Sequence, residues 1–118
     1  MFQFLRSVAL IVATILNCGV AFGQTDYTSA NSAMPGCRAY LSKKFPTEEL
    51  FGDSVRCFSL VEGIAFALSG LCTPSNVTAE QAVRVVMKYI DERPERQHEN
   101  FKLLAGQALL AGAMRGSW

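Results

Sequence analysis

Four cysteines, Cys18, Cys37, Cys57 and Cys72, and one histidine, His98, are the side chains of this 118-residue sequence best suited to covalent or metal chemistry. A nucleophilic enzyme needs a thiol or hydroxyl, a base and a group that orients the base. Cys37, His98 and Asn100 supply such a Cys-His-Asn set in composition only. His98 lies one turn before Phe101 on the same side of an expected helix, where a histidine more often packs or hydrogen-bonds at a helix edge. Zinc or copper wants three or four clustered Cys, His or carboxylate ligands, and no CxxC, HxxxH or HxE spacing occurs. The reading is a chain without a catalytic set, a metal or a cofactor.

The cysteines bear more directly on the fold. The first two dozen residues have Arg6 as their only charge, and an almost wholly apolar run from Ser7 to Phe22 closes on Ala21-Phe22-Gly23. That pattern is a secretory signal, residues 1–23, cleaved between Gly23 and Gln24. The run is short for a membrane span and is interrupted by Asn17, Cys18 and Gly19. Export puts the remaining thiols in an oxidising compartment, where small domains use disulfides. Cys57 falls within an expected helix and Cys72 in the loop behind it, so doubling back over about 15 residues lets them bridge, worth about 3 kcal/mol in the chain-entropy model. Cys37 is then the free thiol. The competing state is three buried thiols.

Removing the signal takes away Arg6 and no acid, so the 11 basic and 10 acidic side chains become ten of each. A neutral, interspersed chain has no electrostatic footprint for nucleic acid or an anionic membrane.

The elements that must position these residues are helical. From Gln24 to Ala33 the chain is polar and small, which suits a flexible lead-in over 24–34 or a weak first helix, punctuated by Pro35 and Gly36. A short helix over 36–43 places Cys37, Tyr40 and Leu41 on one face. Thr47, followed by Glu48 and Glu49, caps a second helix to about Leu68, whose core stripe includes Phe51, Val55, Phe58, Leu60, Val61, Ile64, Ala65 and Leu68. Thr78 and Gln81 have the spacing of a reciprocal capping box. They start a third helix with a stripe of Ala82, Val85, Val86, Tyr89 and Ile90. Asn76-Val77-Thr78 also fits a glycosylation acceptor, but Thr78 has a cap to make. Pro94 ends that helix and opens a fourth, with Phe101, Leu104, Ala105, Ala108, Leu109 and Gly112 inward. No segment alternates with period two. The fold class is therefore all-α: a small single-domain bundle of about four helices with one intrachain disulfide.

Around Pro94, the residues Glu92, Arg93, Glu95, Arg96 and Glu99 form a dense mixed-charge corner. A solvated helix junction with one-turn ion pairs accounts for it. The functional reading is a partner contact made by Glu92, Arg93, Arg96 and His98, since arginine anchors protein interfaces well.

These segments resemble a known family. SANSAMPGC (29–37), RCFSLVEGIAF (56–66), LCTPSNVTAEQAVRVVMKYI (71–90) and RPERQHENFKLLAGQAL (93–109) are, in that order, similar to the Rap/Tai-type immunity proteins of type VI secretion. The resemblance implies a helical immunity domain over 35–113 and a frayed tail at 114–118. It implies a periplasmic protein, often a homodimer, that neutralises a secreted peptidoglycan amidase toxin by docking on its active-site groove, without catalytic residues or a small-molecule substrate of its own. Similar members end the last helix with Trp-Pro-Cys or Phe-Pro-Cys, whereas this chain runs Leu110-Ala111-Gly112-Ala113-Met114-Arg115-Gly116-Ser117-Trp118. If Cys37 pairs with that terminal cysteine in relatives, it has no such partner here. The alternative function, suggested by size, helicity and a disulfide, is a small periplasmic structural or stress-protective, chaperone-like protein.

Overall fold

The computed structural model describes residues 28–69 and 76–115, so the expected signal, Cys72 and the end of the tail at 116–118 lie outside the described residues. Four helices result, α1 (Ala30–Ser42), α2 (Glu48–Leu68), α3 (Ala79–Asp91) and α4 (Phe101–Arg115), with a 3₁₀ turn at Pro94–Arg96 before the last. The all-α expectation holds, and among the described residues the only extended pairing is a bridge between Ser29 and Asn100.

The helix starts follow from side-chain oxygens that accept otherwise orphaned amides. Thr47 takes the Leu50 amide at 3.1 Å. At Thr78 the box is reciprocal: Gln81 N–H donates to Thr78 Oγ1 at 3.2 Å and Thr78 N–H to Gln81 Oε1 at 2.9 Å.

The first helix departs from the sequence reading, beginning at Ala30 rather than near Gly36, so residues 30–34 are helix and not lead-in. Its first-turn donors find acceptors that local sequence does not reveal. Ala30 N–H donates to the Glu99 carbonyl at 2.9 Å, and Asn31 N–H to the Gln97 carbonyl at 2.8 Å. Ser32 N–H donates to Ser29 Oγ at 3.3 Å. Pro35 therefore sits inside the helix, where it removes one backbone bond at a cost of about 3 kcal/mol that tertiary packing must offset. Gly36 shows how tight that packing is, because a Cβ there would stand 2.5 Å from the Asp53 carbonyl oxygen.

At this crossing the sequence reading of the cysteines is overturned. Cys37 is bonded to Cys57, with an S–S distance of 2.00 Å and a Cα–Cα distance of 5.3 Å, so Cys57 does not pair with Cys72 and Cys37 is not a free thiol. Nearness along the chain favoured Cys72; helix crossing decides instead. Cys37 follows Gly36 directly, and Cys57 lies one turn beyond Asp53, so the contact that excludes a Cβ also brings the two sulfurs together.

The bridge also sets the rotation of α2. With Cys57 inward, residues three before and four after it, Ser54 and Val61, are inward too and buried. Val55, about 200° round the cylinder, and Phe51 are turned to solvent, contrary to the expected stripe. Buried Ser54 donates its hydroxyl to the Phe51 carbonyl at 2.6 Å. On α3 the buried set is Ala82, Val83, Val86, Met87 and Ile90, leaving Val85 and Tyr89 half-buried. On α4 it is Phe101, Leu104, Ala105, Ala108, Leu109 and Gly112, as the spacing predicts. Pro94 opens the 3₁₀ turn and not the fourth helix, which waits until Phe101 and then runs past the expected tail boundary to Arg115.

Two substitutions test this crossing by urea unfolding. Gly36→Ala should destabilise by about 1–3 kcal/mol, since the methyl group meets backbone and not a side chain that can swing away. Replacing Cys37 and Cys57 together by Ala should cost about 3 kcal/mol, the value expected for a loop of this length. Proteolytic mapping under non-reducing conditions should recover Cys37 and Cys57 in one linked pair.

Candidate functional site

The corner around Pro94 is built from the last turn of α3, the 3₁₀ turn and the first half of α4. Near the end of α3, Tyr89 offers its ring and its carbonyl. The Arg93 guanidinium lies 3.7 Å from the ring centroid, and its Nη1 donates to the Tyr89 carbonyl at 2.9 Å. A cation beside the last carbonyls of a helix satisfies acceptors that have no intrahelical donor.

Arg96 makes the denser set. Its Nε and Nη2 donate to the two carboxylate oxygens of Glu99, both at 2.7 Å, in the planar fork geometry that arginine shares with carboxylates. Nη2 also reaches Gln107 Oε1 at 2.9 Å, and Nη1 the Tyr89 hydroxyl at 3.3 Å. The guanidinium thereby joins α3 to α4 across the turn. The hydrogen bonds from Arg96, followed by its charge and that of His98, hold the Glu99 carboxyl below its ordinary range. The same pairing raises the Arg96 guanidinium.

The four residues expected to meet a partner are thus neighbours along one corner, but they are not equivalent. Arg93 and Arg96 are half-buried and hydrogen-bonded within the chain, while Glu92 and His98 are exposed. Sequence reasoning missed Gln107 as a member of the network, although Arg96 and Glu99 carry the one-turn spacing that announces their pair. Arg38 on α1 makes a further tie, donating to both oxygens of Asp91 at 2.9 and 3.4 Å.

The nominal Cys-His-Asn set has no nucleophile, because the Cys37 sulfur is held in a buried disulfide. Among the described residues no group of three or more Cys, His, Asp or Glu is placed to hold a metal ion. A groove of about 340 Å³ opens between α1, α2 and α4, with Cys57 and Phe101 in its floor and Asp53, Arg56 and Lys102 on its rim. Its rim is of mixed sign, and Arg56 pairs with Asp53 at 3.7 Å, so it selects for no ligand charge.

The outer side of α2 is different in kind. Phe51 and Val55 are exposed there, with Phe45 edge-on to Phe51 at a centroid distance of 5.3 Å. Just behind, Tyr40 stacks on Phe58 at 5.3 Å with Lys43 Nζ over its ring at 4.0 Å. Burial and then the charges of Glu80 and Glu62 push the Tyr40 hydroxyl up from its usual value. An apolar surface of this kind on a helix is suited to holding another protein.

A family model described as Rap1a immunity proteins matches residues 29–112, from the cap of α1 to the end of the buried face of α4. The chain belongs to the Rap1a immunity protein family. No curated protein and no solved structure matches it. Within this Rap1a domain, the Arg96–Glu99 fork belongs to the scaffold that holds α3 and α4 together.

The depressed carboxyl of Glu99 gives that assignment a pH signature. A carboxylate whose folded pKa lies below its unfolded one stabilises above the unfolded value, and the contribution is lost as pH falls through the folded one. Thermal midpoints of the wild type should therefore decline on acidification below the ordinary glutamate range, and Arg96→Gln should lower the neutral-pH midpoint while flattening that decline. An Arg96→Gln profile parallel to the wild type would assign the acid sensitivity to other carboxylates.

Proposed function

We propose that this Rap1a-family protein is a non-catalytic periplasmic inhibitor, which neutralises a secreted peptidoglycan amidase by docking on it and covering its active-site groove. The observation that carries this reading is the family match over residues 29–112, which takes in α1 to α3 and all but the last three residues of α4. The chemistry is consistent with it. The thiol that a Cys-His-Asn enzyme would need is bonded to Cys57, and the charge balance offers nothing to nucleic acid. No helix among the described residues is long and apolar enough to cross a membrane, and the leader read from residues 1–23 would deliver the chain to the compartment where such an amidase acts.

The test uses a secreted peptidoglycan amidase, sought first among the products of the genes beside this one. Purified mature chain should suppress its release of peptides from isolated peptidoglycan. Periplasmic expression of the chain should keep cells alive when the amidase is directed to their periplasm. Undiminished hydrolysis in the presence of a molar excess of the chain, with lysis unaltered, would exclude the inhibitor role.

A further inference from the structure

We infer that the beginning of α1 with its cap, residues 28–34, is a strap that opens on a hinge at Pro35 while the rest of the fold stays closed. The strap is the removable wall of the groove between α1, α2 and α4. Neither a partner nor the inhibitor reading enters into it.

The hinge follows from proline chemistry. Pro35 lies inside α1 and has no N–H, so the bond that would run back to the Asn31 carbonyl is absent, and its ring crowds that same carbonyl. The helix is therefore weakest between its two halves. Beyond the hinge α1 is anchored twice: Gly36 lies against the Asp53 backbone, and Cys37 is covalently bonded to Cys57. Residues 28–34 contain no cysteine and no charged side chain, so neither a bridge nor an ion pair ties them down.

What holds the strap is a clasp of backbone bonds to one distant segment. Ala30 N–H donates to the Glu99 carbonyl at 2.9 Å, Asn31 N–H to the Gln97 carbonyl at 2.8 Å, and Phe101 N–H to the Thr28 carbonyl at 2.7 Å. All three join the same two stretches of chain and so open together. The apolar hold is small, since the buried apolar side chains of the strap are Ala30, a single methyl group, and Met34, an unbranched chain that adapts to gaps. Thr28, Ser32 and Ala33 line one side of the groove, whose floor is Cys57, Leu60 and Phe101. Swinging the strap away removes that side and bares the floor between α2 and α4. The clasp thus sets the width of the groove.

Native-state amide exchange of the full mature chain, disulfide intact and in low urea, tests the strap. The Ala30, Asn31 and Phe101 amides should exchange together, at least about 100-fold faster than those of Val61 and Val86 and with less dependence on urea, the signature of an opening that exposes little surface. The Tyr40 amide, beyond the hinge, should stay with the slow set. Peroxide supplies a second readout on the wild type. Met34 is 4% exposed and Met87 7%, so a permanently closed chain would oxidise Met87 at least as fast. With the strap, Met34 sulfoxide should form roughly tenfold faster than that of Met87. Pro35→Ala restores the missing bond and should slow both Ala30 exchange and Met34 oxidation by about tenfold. Exchange of Ala30 and Asn31 at the Val61 rate, with the Val61 urea dependence, would mean that α1 opens only with the whole molecule and would overturn the inference. Oxidation of Met34 no faster than that of Met87 would do the same. A Tyr40 amide as fast as the strap, or strap amides unmoved by Pro35→Ala, would take the hinge away from Pro35 and refute it.

Discussion

The close crossing of α1 and α2 is the constraint from which most of this molecule follows. At Gly36 the two backbones come so near that no side chain fits between them, and the next residue, Cys37, is then in reach of Cys57. Fixing Cys57 inward fixes the rotation of the longest helix. Ser54 and Val61 are thereby committed to the core, and Phe51 and Val55 to the surface. Both sulfurs are buried, Cys57 being only 2% exposed, which shields the bridge from thiols in solution. In a domain this small, one covalent link between the first two helices is a large part of the net stability.

The other end of the molecule is held by polar contacts. Arg96 and Arg93 connect α3 to α4 through Glu99, Gln107 and Tyr89, and the carbonyls of Gln97 and Glu99 cap α1. A run of charges that reads as a surface for others is largely occupied in joining three helices of its own chain. Exposure and internal bonding separate Glu92 and His98 from their arginine neighbours, although all four are close in sequence.

How much of this was legible depended on whether the deciding interaction was local. The box at Thr78 and Gln81 closes over three residues, and the inward face of α4 repeats at helical spacing, so both could be read directly. The start of α1 could not, because its first amides are satisfied by carbonyls some seventy residues away, and Pro35 read locally as a boundary. The disulfide was misassigned for a related reason: separation along the chain favoured Cys72, whereas the helix crossing favours Cys37. On α2 Phe51 and Val55 were counted toward the core by their spacing, whereas the rotation set at Cys57 turns both to solvent.

The caps of α1 also bear on the order in which the chain can assemble. Cys37 and Cys57 both lie in the first half of the folded domain, so the bridge can close as soon as α1 and α2 meet. The amides of Ala30 and Asn31, by contrast, have no protein acceptor until Gln97 and Glu99 arrive. A chain that emerges N-terminus first can thus be cross-linked at its centre while the beginning of its first helix is still open to water. A segment more than sixty residues further along thus completes the first helix of the fold.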